Sequence, residues 1–258
     1  MDNETSLAIQ RRALADFIRL LGASSPGARV YRRDDVLGAV VPECPERGLV
    51  NSLIYDDPDG LAAALDDVAA TYDEAGLNAR IFWVPEFDAQ AIGMLEAAGY
   101  RFDGAPAAMH ADLADMPDIP VGDLDWDREA TPEEVGRIND TAYGIPPREG
   151  FSRSLVAPPA IAERRFYRAR VDGTAACIVG TMDHGSDLGI YFVATLPEYR
   201  GLGLTTRLMR VAFDDARERG LATTSLQASK MGEPVYERLG YRKSFGLQLW
   251  EYRRPRDE

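Results

Sequence analysis

The stretch that decides the fold is Leu196-Pro197-Glu198-Tyr199-Arg200-Gly201-Leu202-Gly203-Leu204-Thr205. The apolar run at residues 190–195 before it predicts a strand, and apolar residues at helical spacing after it predict a long amphipathic helix. Glycines in such a turn let backbone N–H groups come close to an anion, and the positive end of the helix dipole adds to the attraction. The stretch therefore predicts a strand, a phosphate-binding turn and a helix in succession.

The elements before this turn follow from local signals in residues 128–195. Thr131, Pro132 and Glu134 form a capping-box pattern, which predicts the start of a helix. Asp172-Gly173 separates two apolar runs and predicts a β-hairpin. A third strand then leads directly into the glycine turn.

The elements after the turn complete one structural unit. The long helix ends near Gly220, and the pattern then predicts a strand at 223–228, a short helix at 234–239 and a final strand near 247–252. This mixed order of helices and strands predicts an α/β (α+β) fold, in which a curved mixed sheet is flanked by helices.

The first half of the chain repeats the later part of this order in a weaker form. The two halves are most similar in two stretches of eight residues, Met94-Leu95-Glu96-Ala97-Ala98-Gly99-Tyr100-Arg101 and Val235-Tyr236-Glu237-Arg238-Leu239-Gly240-Tyr241-Arg242. Residues 115–127 are polar and twice interrupted by proline, which predicts a linker. We therefore expect an internal duplication, with a degenerate domain at 1–114 and a complete one at 128–258.

The two halves differ where a strand meets the long helix. The connection is shorter in the first half, and Asp59-Gly60 stands where Arg200-Gly201 stands in the second. An aspartate at this place repels phosphate. A phosphorylated cofactor is therefore expected in the second half alone.

Composition excludes several classes of partner. The chain carries 42 acidic and 29 basic residues, for a net charge of −13, which argues against nucleic acid. The acidity either serves solubility or steers a cationic small molecule towards the protein. No apolar run approaches the roughly 18 residues of a membrane span, and the acidic N-terminus is unlike a signal peptide. We expect a cytoplasmic protein without a membrane contact.

The cysteine content bears on metal binding and redox chemistry. Cys44 and Cys177 are too few for a disulfide framework or a cysteine-based zinc site. Cys177 lies in an apolar run, which is typical of a core residue. We expect no metal centre.

Two motifs carry a family resemblance. Arg200–Thr205, preceded by Pro197-Glu198-Tyr199, resembles motif A of the GNAT superfamily of acyl-CoA N-acyltransferases. Tyr236-Glu237-Arg238-Leu239-Gly240-Tyr241 resembles the later signature of that superfamily. The resemblance covers roughly residues 128–252, and the first half resembles the degenerate repeat of tandem-GNAT proteins. It implies two tandem GNAT-like domains, of which the second is catalytic.

The resemblance implies acetyl-CoA as co-substrate. Backbone amides of the turn would hold the pyrophosphate with Arg200 beside them, and the preceding strand would bond the pantetheine arm and direct an N–H at the thioester carbonyl. Thr205 departs from the motif, which has Gly or Ala at that position, but its N–H remains available and its hydroxyl could reach a phosphate. Ser229 either binds the cofactor or caps the following turn. The implied cofactor-binding residues are Val193, Ala194, Thr195, Arg200, Gly201, Leu202, Gly203, Leu204, Thr205 and Ser229.

The resemblance also implies direct attack of an amine on the thioester. Tyr236 matches the general acid that protonates the leaving thiolate, although a packing role for its ring is the alternative. The general base stays open, with His184 expected in a solvated loop and a water chain as a further possibility. The candidate bases are Glu149, Asp183, His184, Asp187 and Tyr191.

The acceptor is expected to contact the first helix of the second half and the segment after it, Asn139 to Glu149, with Tyr143 and Glu149 as substrate residues. We expect an N-acetyltransferase that acts on a primary amine of a small cationic or neutral molecule, as a monomer or homodimer. The alternative is a non-catalytic protein that binds acyl-CoA and serves regulation. A nucleotide-binding loop is disfavoured, because no Gly-Lys-Ser/Thr ending follows the glycines.

Overall fold

The computed structural model describes residues 2–146, 149–159 and 163–255. The helices in these ranges are α1 (Asn3–Leu21), α2 (Pro58–Glu74), α3 (Ala89–Ala97), α4 (Pro132–Tyr143), α5 (Phe151–Ser154), α6 (Leu204–Glu218) and α7 (Glu233–Arg238). The strands are β1 (Arg29–Arg33), β2 (Val36–Val40), β3 (Ser52–Tyr55), β4 (Ala79–Pro85), β5 (Arg101–Gly104), β6 (Ala107–Asp112), β7 (Asp125–Asp127), β8 (Arg164–Val171), β9 (Thr174–His184), β10 (Asp187–Thr195), β11 (Thr223–Ala228) and β12 (Arg242–Arg253).

The capping box and the hairpin that the sequence predicts are both present in the structure. At the start of α4 the Thr131 side chain accepts the Glu134 N–H, and the Glu134 side chain accepts the Thr131 N–H. Asp172 and Gly173 connect β8 to β9 with φ angles of 49° and 77°, as a two-residue hairpin requires. The predicted fold class is confirmed: the chain forms a mixed sheet flanked by helices.

All twelve strands of the described chain join one sheet, in the order β1-β2-β3-β4-β12-β6-β11-β10-β9-β8-β7, with β5 beside β12. The last strand of the first half, β6, pairs with β11 of the second half along its whole length. The last strand of the second half, β12, pairs with β6 through residues 242–246 and with β4 through residues 247–253. The two halves therefore exchange their final strands.

The short strand β7 was not predicted from the sequence pattern. β7 lies inside the predicted linker at 115–127 and forms the edge of the sheet against β8. Its contacts are ionic, with Asp127 within 3.0 Å of Arg168 and 2.5 Å of Arg170. Charged residues are common on edge strands and leave no apolar period to detect. The boundaries at 115–127 stay a prediction.

The largest core also joins the two halves. Phe17 and Ile18 of α1 pack in one cluster with Ile138 of α4 and Phe192 of β10. The Phe17 ring stacks on Tyr191 with centroids 5.5 Å apart and planes 6° apart. Helix α1 therefore forms part of the wall on which the second half builds its site.

The described residues show neither a membrane-spanning helix nor a metal cluster. None of their helices is long and apolar enough to cross a membrane. No group of three or more His, Cys, Asp or Glu side chains among them could hold a metal ion. Cys44 and Cys177 are buried and free, and burial raises the pKa of both thiols. Both cysteines are small core residues, as predicted for Cys177.

Candidate active site

Strands β10 and β11 open a cleft in the sheet. They run parallel and pair only from Asp187–Thr223 to Gly189–Ser225, with no further pair between the described residues of these two strands. Past that point β10 carries an irregularity between Tyr191 and Ala194, where Phe192 has a φ of 50°. The backbone edge of β10 beyond Gly189 therefore faces open space and can accept an extended ligand arm by strand addition.

A cavity of about 830 Å³ lies in this cleft and reaches across the seam between the halves. The second half contributes Tyr143, Val193 and Tyr236, and the first half contributes Phe17 and Trp83. Most lining side chains are apolar or aromatic, as in small-molecule sites generally. Neither half alone supplies all the walls of this cavity.

The glycine turn leads to a helix N-terminus that has no side-chain cap. Gly203 is the N-cap of α6, and its φ of 70° lies in the left-handed region, as does the φ of 80° at Gly201. A Cβ at either glycine would meet nothing within 4 Å, so the space in front of the turn is open. The N–H groups in the first turn of α6 are therefore free to bind an anion. We call residues 200–205 the cradle.

The corresponding helix of the first half has the opposite arrangement. Helix α2 begins at Pro58, with two residues between it and the end of β3, and the side chain of its N-cap Asp57 accepts the Asp59 N–H at 2.8 Å. A carboxylate thus occupies the position that an incoming anion would need. This contrast is the structural counterpart of the shorter connection and the Asp59-Gly60 pair in the sequence.

Two predicted cofactor residues make contacts within the protein. The Arg200 guanidinium donates to the carbonyl of Ala142 at 2.6 Å and ties the cradle to the last turn of α4. The Thr205 hydroxyl lies 2.8 Å from the Thr195 hydroxyl and 3.6 Å from Cys177 Sγ. Thr205 therefore anchors α6 to β10 and leaves its backbone N–H for a ligand.

The other predicted cofactor residues lie along the cleft. Val193 lines the cavity, whereas Ala194 is buried and pairs with β9. Leu202 is exposed and Leu204 is buried at the start of α6. Ser229 lines the cavity and its hydroxyl accepts the Gly232 N–H at 3.2 Å, so it caps the turn before α7. Its binding to a cofactor stays a prediction.

The two predicted substrate residues have different positions. Tyr143 lines the cavity and donates its hydroxyl to the Val193 carbonyl at 3.2 Å. Glu149 does not line the cavity; its backbone N–H bonds to the Pro146 carbonyl at 2.9 Å. Pro147 and Arg148, in the same predicted acceptor segment, lie outside the described residues.

Tyr236 on α7 presents a protonated phenol to the cavity. Its ring packs edge-on against Tyr241, with centroids 5.8 Å apart, and its hydroxyl has no hydrogen-bond partner among the described residues. Burial raises the pKa of Tyr236 above the ordinary value for a phenol. The proton therefore stays on the hydroxyl at neutral pH, as a general acid requires.

Two of the candidate bases are held in polar contacts away from the cavity. Asp183 binds Arg165 at 3.1 Å and Arg219 at 2.9 Å. Asp187 accepts the hydroxyls of Thr223 and Ser225 at 2.7 and 2.6 Å. Neither carboxylate lines the cavity. Both stabilise the sheet and its connection to α6.

The prediction that His184 lies in a solvated loop is wrong. Only 4% of His184 is exposed. Its Nδ1 lies 2.7 Å from Asp16 and its Nε2 lies 2.8 Å from the Tyr191 hydroxyl, which donates to the Ala13 carbonyl at 2.9 Å. Asp16 and Ala13 lie on α1, far from His184 along the chain, so no local pattern reveals this burial.

Glu233 is a candidate that the sequence pattern did not indicate. It is the one carboxylate among the described residues that line the cavity. It precedes Tyr236 by three positions on α7, and this spacing puts both side chains on the same helix face. This three-residue spacing was the signal in the sequence that could have indicated Glu233. It points to a site residue only when α7 is known to border a cavity.

Comparison with known proteins identifies the architecture. Residues 187–244, which hold β10, the cradle, α6, β11 and α7, match the family model for an acetyltransferase (GNAT) domain. This part of the second half is therefore similar to a GNAT domain. The resemblance to the GNAT superfamily that the two motifs carry is confirmed.

Solved structures share the fold over nearly the whole chain. A GCN5-related N-acetyltransferase from Kribbella flavida superimposes with a TM-score of 0.67 and 18% identity, covering 96% of this chain and 95% of that one. A tandem GNAT protein from the clavulanic acid biosynthesis pathway superimposes with a TM-score of 0.56 and 15% identity, covering 94% and 89%. At these identities the likeness shows the fold, which this chain shares with both proteins over nearly its whole length.

A curated relative is similar in sequence. The mycothiol acetyltransferase of Acidimicrobium ferrooxidans is 26% identical in an alignment of length 204 that covers 70% of this chain. The chain spans 64% of the length of that relative. The chain is therefore similar in sequence to a protein named as an acetyltransferase.

The contact between Asp16 and His184 predicts a pH-dependent stability. Burial raises the pKa of Asp16, but the bonds from His184 and Arg19 outweigh it and lower the pKa below its ordinary value. A lowered pKa in the folded state gives stability that is present above about pH 4 and is lost as the pH falls further. Asp16→Asn should therefore lower the free energy of unfolding by about 1 kcal/mol at pH 7 and by much less at pH 3.

Urea unfolding of both proteins at pH 7 and pH 3 measures this difference. Asp66→Asn is the matched control, because Asp66 is an exposed helical aspartate without a hydrogen bond or ion pair in the described structure. A deficit in Asp16→Asn that is equal at the two pH values would contradict the assignment.

Proposed function

We propose that this protein is an acetyl-CoA-dependent N-acetyltransferase that transfers the acetyl group directly to a primary amine of a small molecule. The observation that carries the proposal is the uncapped N-terminus of α6 at the end of the unpaired edge of β10. The Tyr236 phenol stands over the same cavity. The GNAT match over residues 187–244 supports the same activity.

The described residues fit the chemical groups of coenzyme A. The first N–H groups of α6 and the open turn at Gly201 and Gly203 suit a pyrophosphate. The free edge of β10 near Val193 suits the amide-bearing pantetheine arm. When bound, acetyl-CoA supplies a thioester whose C–S bond breaks as the C–N bond of the product forms.

Residues of the cavity supply the proton transfers. We assign Glu233 as the base that takes the proton from the acceptor's ammonium, so that a neutral amine attacks. Tyr236 donates its proton to the departing sulfur and regains one from solvent, while the second proton on nitrogen leaves to water. The backbone of β10 positions the reacting groups, and no covalent bond to the protein is needed.

The carboxylate cap of α2 supports a single cofactor site in each chain. Asp57 already occupies the N-terminus of α2, whereas the equivalent position of α6 is Gly203. The first half then serves the reaction by forming part of the cavity wall rather than by binding a second cofactor.

A charge placed at the cradle tests cofactor binding. Gly203→Asp should weaken acetyl-CoA binding about 100-fold or more, because the carboxylate caps α6 and repels the pyrophosphate. Gly203→Asn is the matched control, since Asn has the same size, tolerates the same positive φ and adds no charge. Isothermal titration calorimetry measures both affinities. Equal dissociation constants for the Asp and Asn variants would refute the pyrophosphate role of this turn.

Removal of the phenol tests the chemical step. Tyr236→Phe should lower kcat about 100-fold, because the leaving thiolate loses its proton donor, and should leave the acetyl-CoA affinity unchanged. The assay follows coenzyme A release with a panel of primary amines, and mass spectrometry identifies the acetylated product. Tyr241→Phe is the control, because Tyr241 packs against Tyr236 but its hydroxyl bonds Thr224 outside the cavity.

Two outcomes would contradict these assignments. Full activity in Tyr236→Phe would exclude Tyr236 as the acid. Tight acetyl-CoA binding by the unmodified protein with no release on any amine would favour the alternative, a non-catalytic acyl-CoA-binding protein.

A further inference from the structure

The charged side chains of the cavity are unevenly distributed. Among its described lining residues, Lys230 and Glu233 lie at the end of β11 and the start of α7, beside Tyr236. The third charged residue, Arg47, belongs to the loop between β2 and β3 in the first half. The cavity therefore carries a lysine and its one lining carboxylate beside Tyr236, and an arginine that comes from the first half.

The backbone of Arg47 is fixed by a buried side chain. Its carbonyl accepts the N–H groups of Val50 and Asn51 at 3.1 and 3.2 Å and the Asn51 side-chain amide at 3.2 Å. Asn51 is fully buried and also bonds the backbone of Val41 and Cys44 at 2.8 and 2.9 Å. These hydrogen bonds hold the backbone of the loop at Arg47 in a defined conformation.

The Arg47 guanidinium has no ion pair and no hydrogen bond in the described part of the chain, although it faces a mostly apolar cavity. The nearby Glu251 carboxylate is held by Arg253, with Nε and Oε2 2.6 Å apart. A cation against an apolar wall loses hydration, and a ligand oxyanion compensates for that loss. An arginine left unpaired in a chain with 42 acidic residues is suited to bind such a group.

The sheet sets the length of the ligand. Trp83 on β4 and Gln227 on β11 both line the cavity, and β12 and β6 lie between their strands. Three strand intervals separate them, which is about 14 Å at ordinary spacing. Arg47 and Trp83 come from the first half of the chain, and Tyr236 comes from the second. A molecule that reaches both ends is therefore elongated and carries its amine and its anionic group at opposite ends.

We propose that the acceptor is a primary amine with an apolar or aromatic body that ends in an oxyanion, a carboxylate or a phosphate, which Arg47 binds. This proposal rests on the proposed acetyl transfer. Phe17, Trp83 and Phe102 provide an aromatic wall for the body, and Glu233 attracts the ammonium at the other end. The acceptor is then zwitterionic or anionic, which differs from the cationic or neutral molecule expected from the net charge of the whole chain.

A matched set of acceptors tests the oxyanion. The set is 4-(2-aminoethyl)benzoate, its methyl ester and 4-(2-aminoethyl)phenyl phosphate, which share the amine and the aromatic ring. We expect kcat/KM for at least one anionic acceptor to exceed that for the ester about 10- to 100-fold, mainly through KM. Comparison of the carboxylate with the phosphate tells which oxyanion fits better. Equal kcat/KM values for the ester and both anions would overturn the proposal.

Variants of the arginine test its role. Arg47→Gln should reduce the preference for the anion to about one without changing the acetyl-CoA affinity, and Arg47→Lys should restore part of it. Arg32→Gln, at an exposed arginine of β1, is the control for a lost charge. A preference that survives Arg47→Gln would exclude Arg47 as its source.

A binding measurement separates this proposal from the proposed function. Calorimetry of 4-(2-aminoethyl)benzoate and of its ester in the presence of coenzyme A requires no turnover. Absence of turnover together with tighter binding of the benzoate that Arg47→Gln abolishes would refute acetyl transfer and support the oxyanion site. Turnover without any preference for the anion would leave acetyl transfer intact and refute the oxyanion site.

Discussion

The exchange of final strands between the two halves is the constraint on which the rest of the structure depends. β12 completes the sheet of the first half against β4, and β6 completes the sheet of the second half against β11. Neither half has a full sheet without the other, so the second half depends on the first for its structure whether or not the first half binds a cofactor. The cavity lies where the exchanged strands meet, and it takes its walls from both halves.

The same strand–helix junction occurs twice and has opposite electrostatics in its two copies. Asp57 closes the N-terminus of α2 with a carboxylate, and Gly203 leaves that of α6 open. A cap of this kind stabilises a helix by about 1 kcal/mol, so the open end of α6 sacrifices stability. A bound ligand would compensate for this loss by supplying acceptors for the free N–H groups of α6. The two halves thus differ at this junction: α2 carries a carboxylate cap, and α6 is open to the ligand that we propose.

Features set by neighbouring residues could be predicted from the sequence. The capping box of α4, the Asp172-Gly173 hairpin and the glycine turn before α6 depend on contacts within a few positions, so their patterns are visible. The strand exchange, the burial of His184 against α1 and the position of Arg47 depend on contacts between distant segments. A histidine or an arginine can be exposed, buried in a polar contact or part of a site. Which of these applies here depends on how distant segments pack around the sheet.

The central claim is that one cradle, at the start of α6, holds the cofactor for a cavity built by both halves. Hydrogen exchange followed by mass spectrometry, with and without acetyl-CoA, tests it most directly. The account predicts slower amide exchange at residues 193–207 and 229–236, with no change at residues 57–61, where Asp57 caps α2. Slower exchange at residues 57–61, or none at residues 200–207, would contradict it.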